Sequence, residues 1–167
     1  FEGENKAEIV NNADWFKGYD YIDFMRDIGV HFNVNHMITN EIYAKRLEEG
    51  GLTFFEMGYM LMQAYDFLHL NEKYGCNIEW GGADQWGNIA AGATLGRKMN
   101  FIDGKNRVMI GATNPLLLTP EGKKMGKTEK GAIWLDRDKI SAYDFYQGVY
   151  QTPDACVEMM FALFTDI

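Results

Sequence analysis

Residues 53–99 constrain the fold of this chain more than any other stretch. Thr53 and Glu56 have the spacing of a capping box, in which each side chain satisfies a free backbone N–H of the other residue. That spacing predicts a long helix running to about Tyr74, where Gly75 stops it. Cys76-Asn77-Ile78-Glu79-Trp80 is short and apolar enough for a strand. Gly81-Gly82 is expected to form a tight turn, with a second helix over roughly 83–99. Residues 107–118 read as a further strand, broken near Asn114-Pro115. This order implies an α/β layout with parallel strands. Ligands in such sheets sit at the carboxyl ends of the strands.

On either side the signals are shorter. Residues 19–28 and 35–49 read as helices, the second with Asn35 as N-cap and Gly50-Gly51 as its end. Ser141 followed by Asp144 caps a helix to about Tyr150, and Pro153 opens a last one. A chain of 167 residues with 47% hydrophobic content can bury an ordinary core. No apolar run approaches the roughly 20 residues of a membrane helix, and no signal peptide is visible. The absence of an initiator methionine suggests a piece of a longer chain. Cys76 and Cys156 lie far apart and read as buried reduced thiols of a cytosolic protein. His31, His36 and His69 have no partners at ligand spacing, so no metal site is expected. The net charge of −8 disfavours a broadly basic nucleic-acid face but permits a local one.

Three constellations carry chemistry. Tyr59, Gln63 and Asp66 stand at i, i+4 and i+7 and share one face of the long helix. Met60, Leu61, Met62, Phe67 and Leu68 make that helix apolar around much of its circumference, which implies burial. A buried polar stripe needs partners: it either pairs with neighbouring helices or lines a polar ligand pocket. The second constellation is Gly81-Gly82-Ala83-Asp84-Gln85-Trp86-Gly87-Asn88. Its glycines would let a ligand approach the backbone, and Asp84 and Gln85 can bond hydroxyls or an amine. The alternative is a plain strand-to-helix turn with Asp84 at the helix dipole. The third is a cationic loop on an acidic chain: Lys123, Lys124, Lys127 and Lys130 fall within eight residues, among glycines and Thr128. Such lysines can reach a polyphosphate, or they decorate a solvated turn. The loop lacks Walker A spacing.

The strings Gln63-Ala-Tyr-Asp-Phe-Leu68, Gly81-Gly-Ala-Asp-Gln-Trp-Gly-Asn-Ile89 and Lys124-Met-Gly-Lys-Thr-Glu-Lys-Gly-Ala-Ile-Trp-Leu-Asp136 resemble the bacterial tyrosyl-tRNA synthetases. These are class I aminoacyl-tRNA synthetases with a Rossmann-type catalytic domain. The resemblance covers essentially the whole chain. It implies that Lys124, Lys127 and Thr128 belong to a KMSKS-type loop acting on the ATP pyrophosphate, with Mg²⁺ accompanying the ATP. It implies that Asp66 recognises the tyrosine phenol and that Tyr59 and Gln63 hold the tyrosine ammonium group. Gly82, Asp84 and Gln85 would meet the adenylate ribose and the substrate carboxyl region. The stripe on the helix thereby becomes a ligand pocket.

The implied fold is the second half of a Rossmann-type domain with a mostly helical insertion, leading into an α-helical region. Residues 1–53 would be the connective insertion, 54–136 the half-domain with its loop, and 137–167 the start of the helical region. The insertion implies a homodimer interface and docking of the tRNA acceptor stem. Phe54 and Phe55 read either as interface aromatics or as core residues of the monomer, and Arg97 and Lys98 either as acceptor-stem contacts or as solvated surface cations. The implied location is cytoplasmic. The family's His-Ile-Gly-His-like motif does not occur in this sequence, so the isolated chain is expected to be inactive. Glu79 stands where many relatives carry glutamine and adds negative charge near the pocket. The rival readings are a tryptophanyl-tRNA synthetase and a non-catalytic module that binds RNA or protein.

Overall fold

The computed structural model describes residues 3–118 and 133–166. Two compact units divide the chain, one ending at Asn114 and the other beginning at Pro115.

The first unit opens with helical pieces: α1 (Ala13–Phe16), α2 (Tyr21–Asp27), a 3₁₀ turn at Gly29–His31, α3 (Val34–Met37) and α4 (Glu41–Glu49). The single helix expected over 35–49 is therefore two. Asn33 caps α3 by accepting from the Asn35 N–H, and Asn40 caps α4 by accepting from the Ile42 N–H. Asn35 is inside α3 and caps nothing. An asparagine at position 40 bonds its own backbone two residues on, which competes with helix continuation and starts the chain afresh. Gly50 ends α4 with φ 152°, a conformation open to glycine.

Helix α5 (Phe54–Tyr74) has the expected capping box, with Thr53 and Glu56 bonded reciprocally, and Gly75 closes it in the left-handed conformation. Burial is confined to one side of α5: Met60, Leu61, Ala64, Phe67 and Leu68. Met62 is exposed, so the helix is not buried around its circumference as its composition suggests. Ala64 and Leu68 join Ile28 and Leu95 in one core cluster. Met60 and Leu61 join Met37 and Tyr43 in another. Leu95 belongs to α6 (Trp86–Asp103), which lies along α5. Phe67, Ile89 and Leu95 are fully buried, each worth about 1.5–3 kcal/mol.

Strand β1 (Ile78–Gly82) pairs in parallel with β2 (Ile110–Asn114), with Ile78 opposite Ile110 and Gly82 opposite Asn114. Gly81-Gly82 is not a tight turn: both residues belong to β1, and the turn is the 3₁₀ segment Ala83–Gln85. The glycines serve packing instead. A Cβ on Gly81 would stand 3.1 Å from the Gln85 Cβ, and one on Gly111 would stand 2.5 Å from the Ile89 Cγ2. Helix α6 therefore rests directly on strand backbone. Arg107 fixes the link into β2. Its Nε donates to Glu72 of α5 at 2.9 Å and its Nη1 to Asp103 at the end of α6 at 3.0 Å.

The second unit contains α7 (Ala142–Tyr150), capped by Ser141, and α8 (Asp154–Phe164), which follows Pro153. Cys156 is buried and Cys76 half-buried; both are free thiols. No helix among the described residues is long and apolar enough to cross a membrane.

Candidate active site

Tyr59, Gln63 and Asp66 share a face of α5, as their spacing predicts. Their surroundings differ. Tyr59 is 62% exposed, whereas Gln63 and Asp66 are half-buried.

The Asp66 carboxylate is held by two donors from α1 and the residue before it. The Trp15 indole N–H donates to Oδ1 at 2.7 Å, and the Asn12 amide donates to Oδ2 at 3.2 Å. Burial pushes the Asp66 carboxyl above its ordinary value, while Trp15, Asn12 and the neighbouring His69 pull it back. Trp15 also stacks on His69, with ring centroids 4.5 Å apart. Burial lowers the His69 pKa, and its Nε2 is shielded without a hydrogen-bond partner among the described residues. Tyr65, one residue before Asp66, packs edge-on against Phe16, Tyr19 and Phe24. This aromatic cluster fixes α1 and α2 against α5. Burial and the nearby Asp27 push the Tyr19 hydroxyl up to about 12.

Gln63 donates its Nε2 to Oε1 of Glu79 on β1, at 2.8 Å. Gln63 Oε1 and Glu79 Oε2 are both buried without hydrogen-bond partners among the described residues. Burial pushes the Glu79 carboxyl up; the Gln63 amide opposes this and the Asp66 charge adds to it.

At the carboxyl ends of the strands, Gly82 and Asn114 stand side by side. Asp84 and Gln85 follow Gly82 in the 3₁₀ turn that leads into α6. Gln85 is fixed by neighbours: its amide lies 3.5 Å from the Asp84 Oδ2, and Asn88 donates to its Oε1 at 3.3 Å. Lys123, Lys124, Lys127, Thr128 and Lys130 lie outside the described residues. Of the two cations offered for the acceptor stem, Lys98 donates to the His31 carbonyl and Arg97 to the Thr94 hydroxyl at 3.2 Å.

The structure thus brings Gln63 and Glu79 together, and gathers Asn12 and Trp15 around Asp66. The sequence reading singled out Asp66 and did not anticipate Asn12 and Trp15 beside it. The available signal was Asn11-Asn12 three residues ahead of a tryptophan, polar groups in a segment too short to be a helix of its own strength.

Comparison with known proteins gives this arrangement a lineage. The profile of tRNA synthetases class I (W and Y) matches residues 3–167. The tyrosine–tRNA ligase of Wolbachia sp. subsp. Brugia malayi is 48% identical over 167 residues, covering 99% of this chain and 39% of that protein. The tyrosine–tRNA ligase of Caldanaerobacter subterraneus subsp. tengcongensis is 56% identical over 162 residues, covering 97% of this chain and 38% of that protein. The crystal structure of a C-terminally truncated mitochondrial tyrosyl-tRNA synthetase from Coccidioides posadasii superposes with a TM-score of 0.74 at 29% identity. That match covers 93% of this chain and 44% of the other. The chain spans about two fifths of the length of the curated relatives it matches. A match over nearly every residue, joined to a carboxylate and an amide set on one helix face beside a parallel strand pair, places the chain in the family of class I tRNA synthetases of the W and Y type.

Proposed function

We propose that the protein carrying this chain is a tyrosine–tRNA ligase, which joins tyrosine and ATP into tyrosyl-adenylate with release of pyrophosphate and then esterifies its tRNA. The observation that carries the reading is Asp66, a half-buried carboxylate oriented by Trp15 and Asn12. A carboxylate so held accepts a phenol O–H. Phenylalanine brings no donor and leaves the acceptor unpaired, a discrimination for which tyrosyl-tRNA synthetases are the standard example. Tyrosine–tRNA ligase is also the name carried by the relatives about half identical to this chain.

In this reading Tyr59 and Gln63 receive the tyrosine ammonium group. Asp84 and Gln85, at the strand ends beside Gly82, meet the ribose and the substrate carboxyl region. Lys124, Lys127 and Thr128 act on the pyrophosphate as charge develops there, which raises the rate without tightening ATP binding in the ground state. Mg²⁺ arrives with the ATP phosphates as part of the substrate. Residues 1–53 form a connective insertion, 54–136 the second half of a Rossmann-type domain, and 137–167 the start of a helical region. Two copies pair through the apolar groove of about 780 Å³ that Phe54 and Phe55 help to line. Activity belongs to the complete protein in the cytoplasm, and this chain alone is inactive.

ATP–pyrophosphate exchange on the complete protein, with each amino acid in turn, tests the activity. Exchange with tyrosine is expected. Exchange with tryptophan and none with tyrosine overturns the reading, and no exchange at all points to a non-catalytic module. Asp66→Ala is expected to reduce the preference for tyrosine over phenylalanine by roughly 10- to 100-fold. Lys127→Ala is expected to slow adenylate formation in single-turnover measurements while leaving tyrosine affinity nearly unchanged.

A further inference from the structure

Glu79 is a carboxylate with an unusual setting. It stands on β1 between two helices, with Oε1 receiving the Gln63 amide of α5 and Oε2 lying 3.4 Å from where a Cβ on Gly92 of α6 would stand. Gly92 leaves room for that oxygen. Neither Glu79 Oε2 nor Gln63 Oε1 has a hydrogen-bond partner among the described residues, and both are shielded from solvent. Buried unmet acceptors are rare because each forfeits hydration without a protein bond in return. Both are acceptors, on side chains already bonded to each other, and each suits a donor or a positive charge. Their hydration was given up on folding, so the charge on Glu79 is little screened by water and acts on a cation held nearby.

The pairing also settles the orientation of Gln63. An ionised carboxylate only accepts, so the end of the amide that faces Glu79 must be the NH₂. Gln63 Oε1 is therefore left as the acceptor. A glutamine at position 79 would offer both a donor and an acceptor, and either end of Gln63 could then face it. We propose that Glu79 is a positioning residue for the amino-acid site: it fixes the Gln63 amide with its oxygen left to accept, and adds a buried negative charge that selects substrates bearing an ammonium group. The inference rests on the tyrosine reading above and deepens it.

The charged group whose field reaches Glu79 is Asp66 on α5; from α6 it is faced by Gly92. Asp66 is assigned to the phenol, so two ligands that share the phenol and differ only in the amine separate the two carboxylates. Tyramine and 4-ethylphenol are such a pair. In the complete protein, calorimetric titration is expected to show tyramine binding more tightly than 4-ethylphenol. Glu79→Gln is expected to reduce that preference about tenfold while leaving 4-ethylphenol affinity within about twofold. Equal weakening of both ligands, or an unchanged preference, overturns the proposal. A second measurement needs no variant. In the unaltered protein the tyramine preference is expected to fall as pH drops from neutral into the acid range where Glu79, whose carboxyl burial holds above its ordinary value, takes up a proton. A preference constant over that range equally overturns it. A protein that binds neither phenol but activates another amino acid removes the tyrosine reading itself, a result distinct from a phenol site indifferent to the amine.

Discussion

Asp66 shows how little of a carboxylate's setting one residue supplies. A carboxylate placed half in protein resists ionisation, and its folded pKa stands above the ordinary value because of that burial. Trp15 and Asn12 hold it ionised and aim both oxygens. Replacing Trp15 by phenylalanine keeps the ring over His69 but removes the shortest donor to Asp66. Loss of a bond to the charged form moves the pKa further up. On the proposed tyrosine reading, the acid limb of tyrosine binding by the complete protein is therefore expected to shift to higher pH in Trp15→Phe, with affinity at neutral pH lower by about tenfold. Fluorescence-independent binding measurements across pH check both. The sequence made Asp66 legible because i, i+4 and i+7 place it with Tyr59 and Gln63 whatever the rest of the chain does. Asn12 and Trp15 were not legible because their meeting with Asp66 is a tertiary contact across some fifty residues, for which no local periodicity exists. Glu79 was visible as an odd charge, yet its partner Gln63 required the strand to be laid beside α5.

At the scale of elements, reading succeeded where caps are chemical and failed where the chain chose among several. The Thr53–Glu56 box and Gly75 gave both ends of α5. Between positions 33 and 40 three asparagines compete, and backbone geometry alone decides that Asn33 and Asn40 cap. The box has a measurable signature. Glu56 is held down to about 2 by the Thr53 side chain and backbone and then by Arg46, against an ordinary 4.5. A carboxylate with a depressed folded pKa stabilises above the ordinary value, and the contribution is lost as pH falls through the folded one. Thermal stability is therefore expected to decline from about pH 4.5 toward pH 2. Thr53→Ala is expected to cost about 1 kcal/mol in urea unfolding and to flatten that acid dependence. The strand glycines offer a second check. Gly111→Ala drives a methyl into Ile89 and is expected to destabilise by about 1–3 kcal/mol. Adding Ile89→Ala should return less than its own loss, because the two changes share one space.

Over the whole molecule, apolar surface is spent unevenly. Phe54 is 65% exposed and Phe55 89%, both at the open groove of the first unit. Contiguous apolar surface of this kind marks an interaction site more often than a solvated one. If self-association uses it, sedimentation of the complete protein should give a dimer that persists in high salt, and Phe54→Asp should yield a monomer that retains its helical circular dichroism. A dimer unaffected by that change places the interface elsewhere.

The parallel strand pair has a further consequence, for the order of assembly. Ile78 and Ile110 meet only after roughly thirty residues of chain have been looped through α6, so the pairing carries a closure entropy that a hairpin would not. Helices α5 and α6 are local and pack on each other, and they can hold the loop closed before any strand hydrogen bond exists. The backbone bond from the Ile110 N–H to the Asn77 carbonyl, at 2.8 Å, should then be among the last to gain protection from hydrogen exchange during refolding. The strand edge where Gly82 and Asn114 lie together would in that sequence of events mature after the helix that carries Asp66.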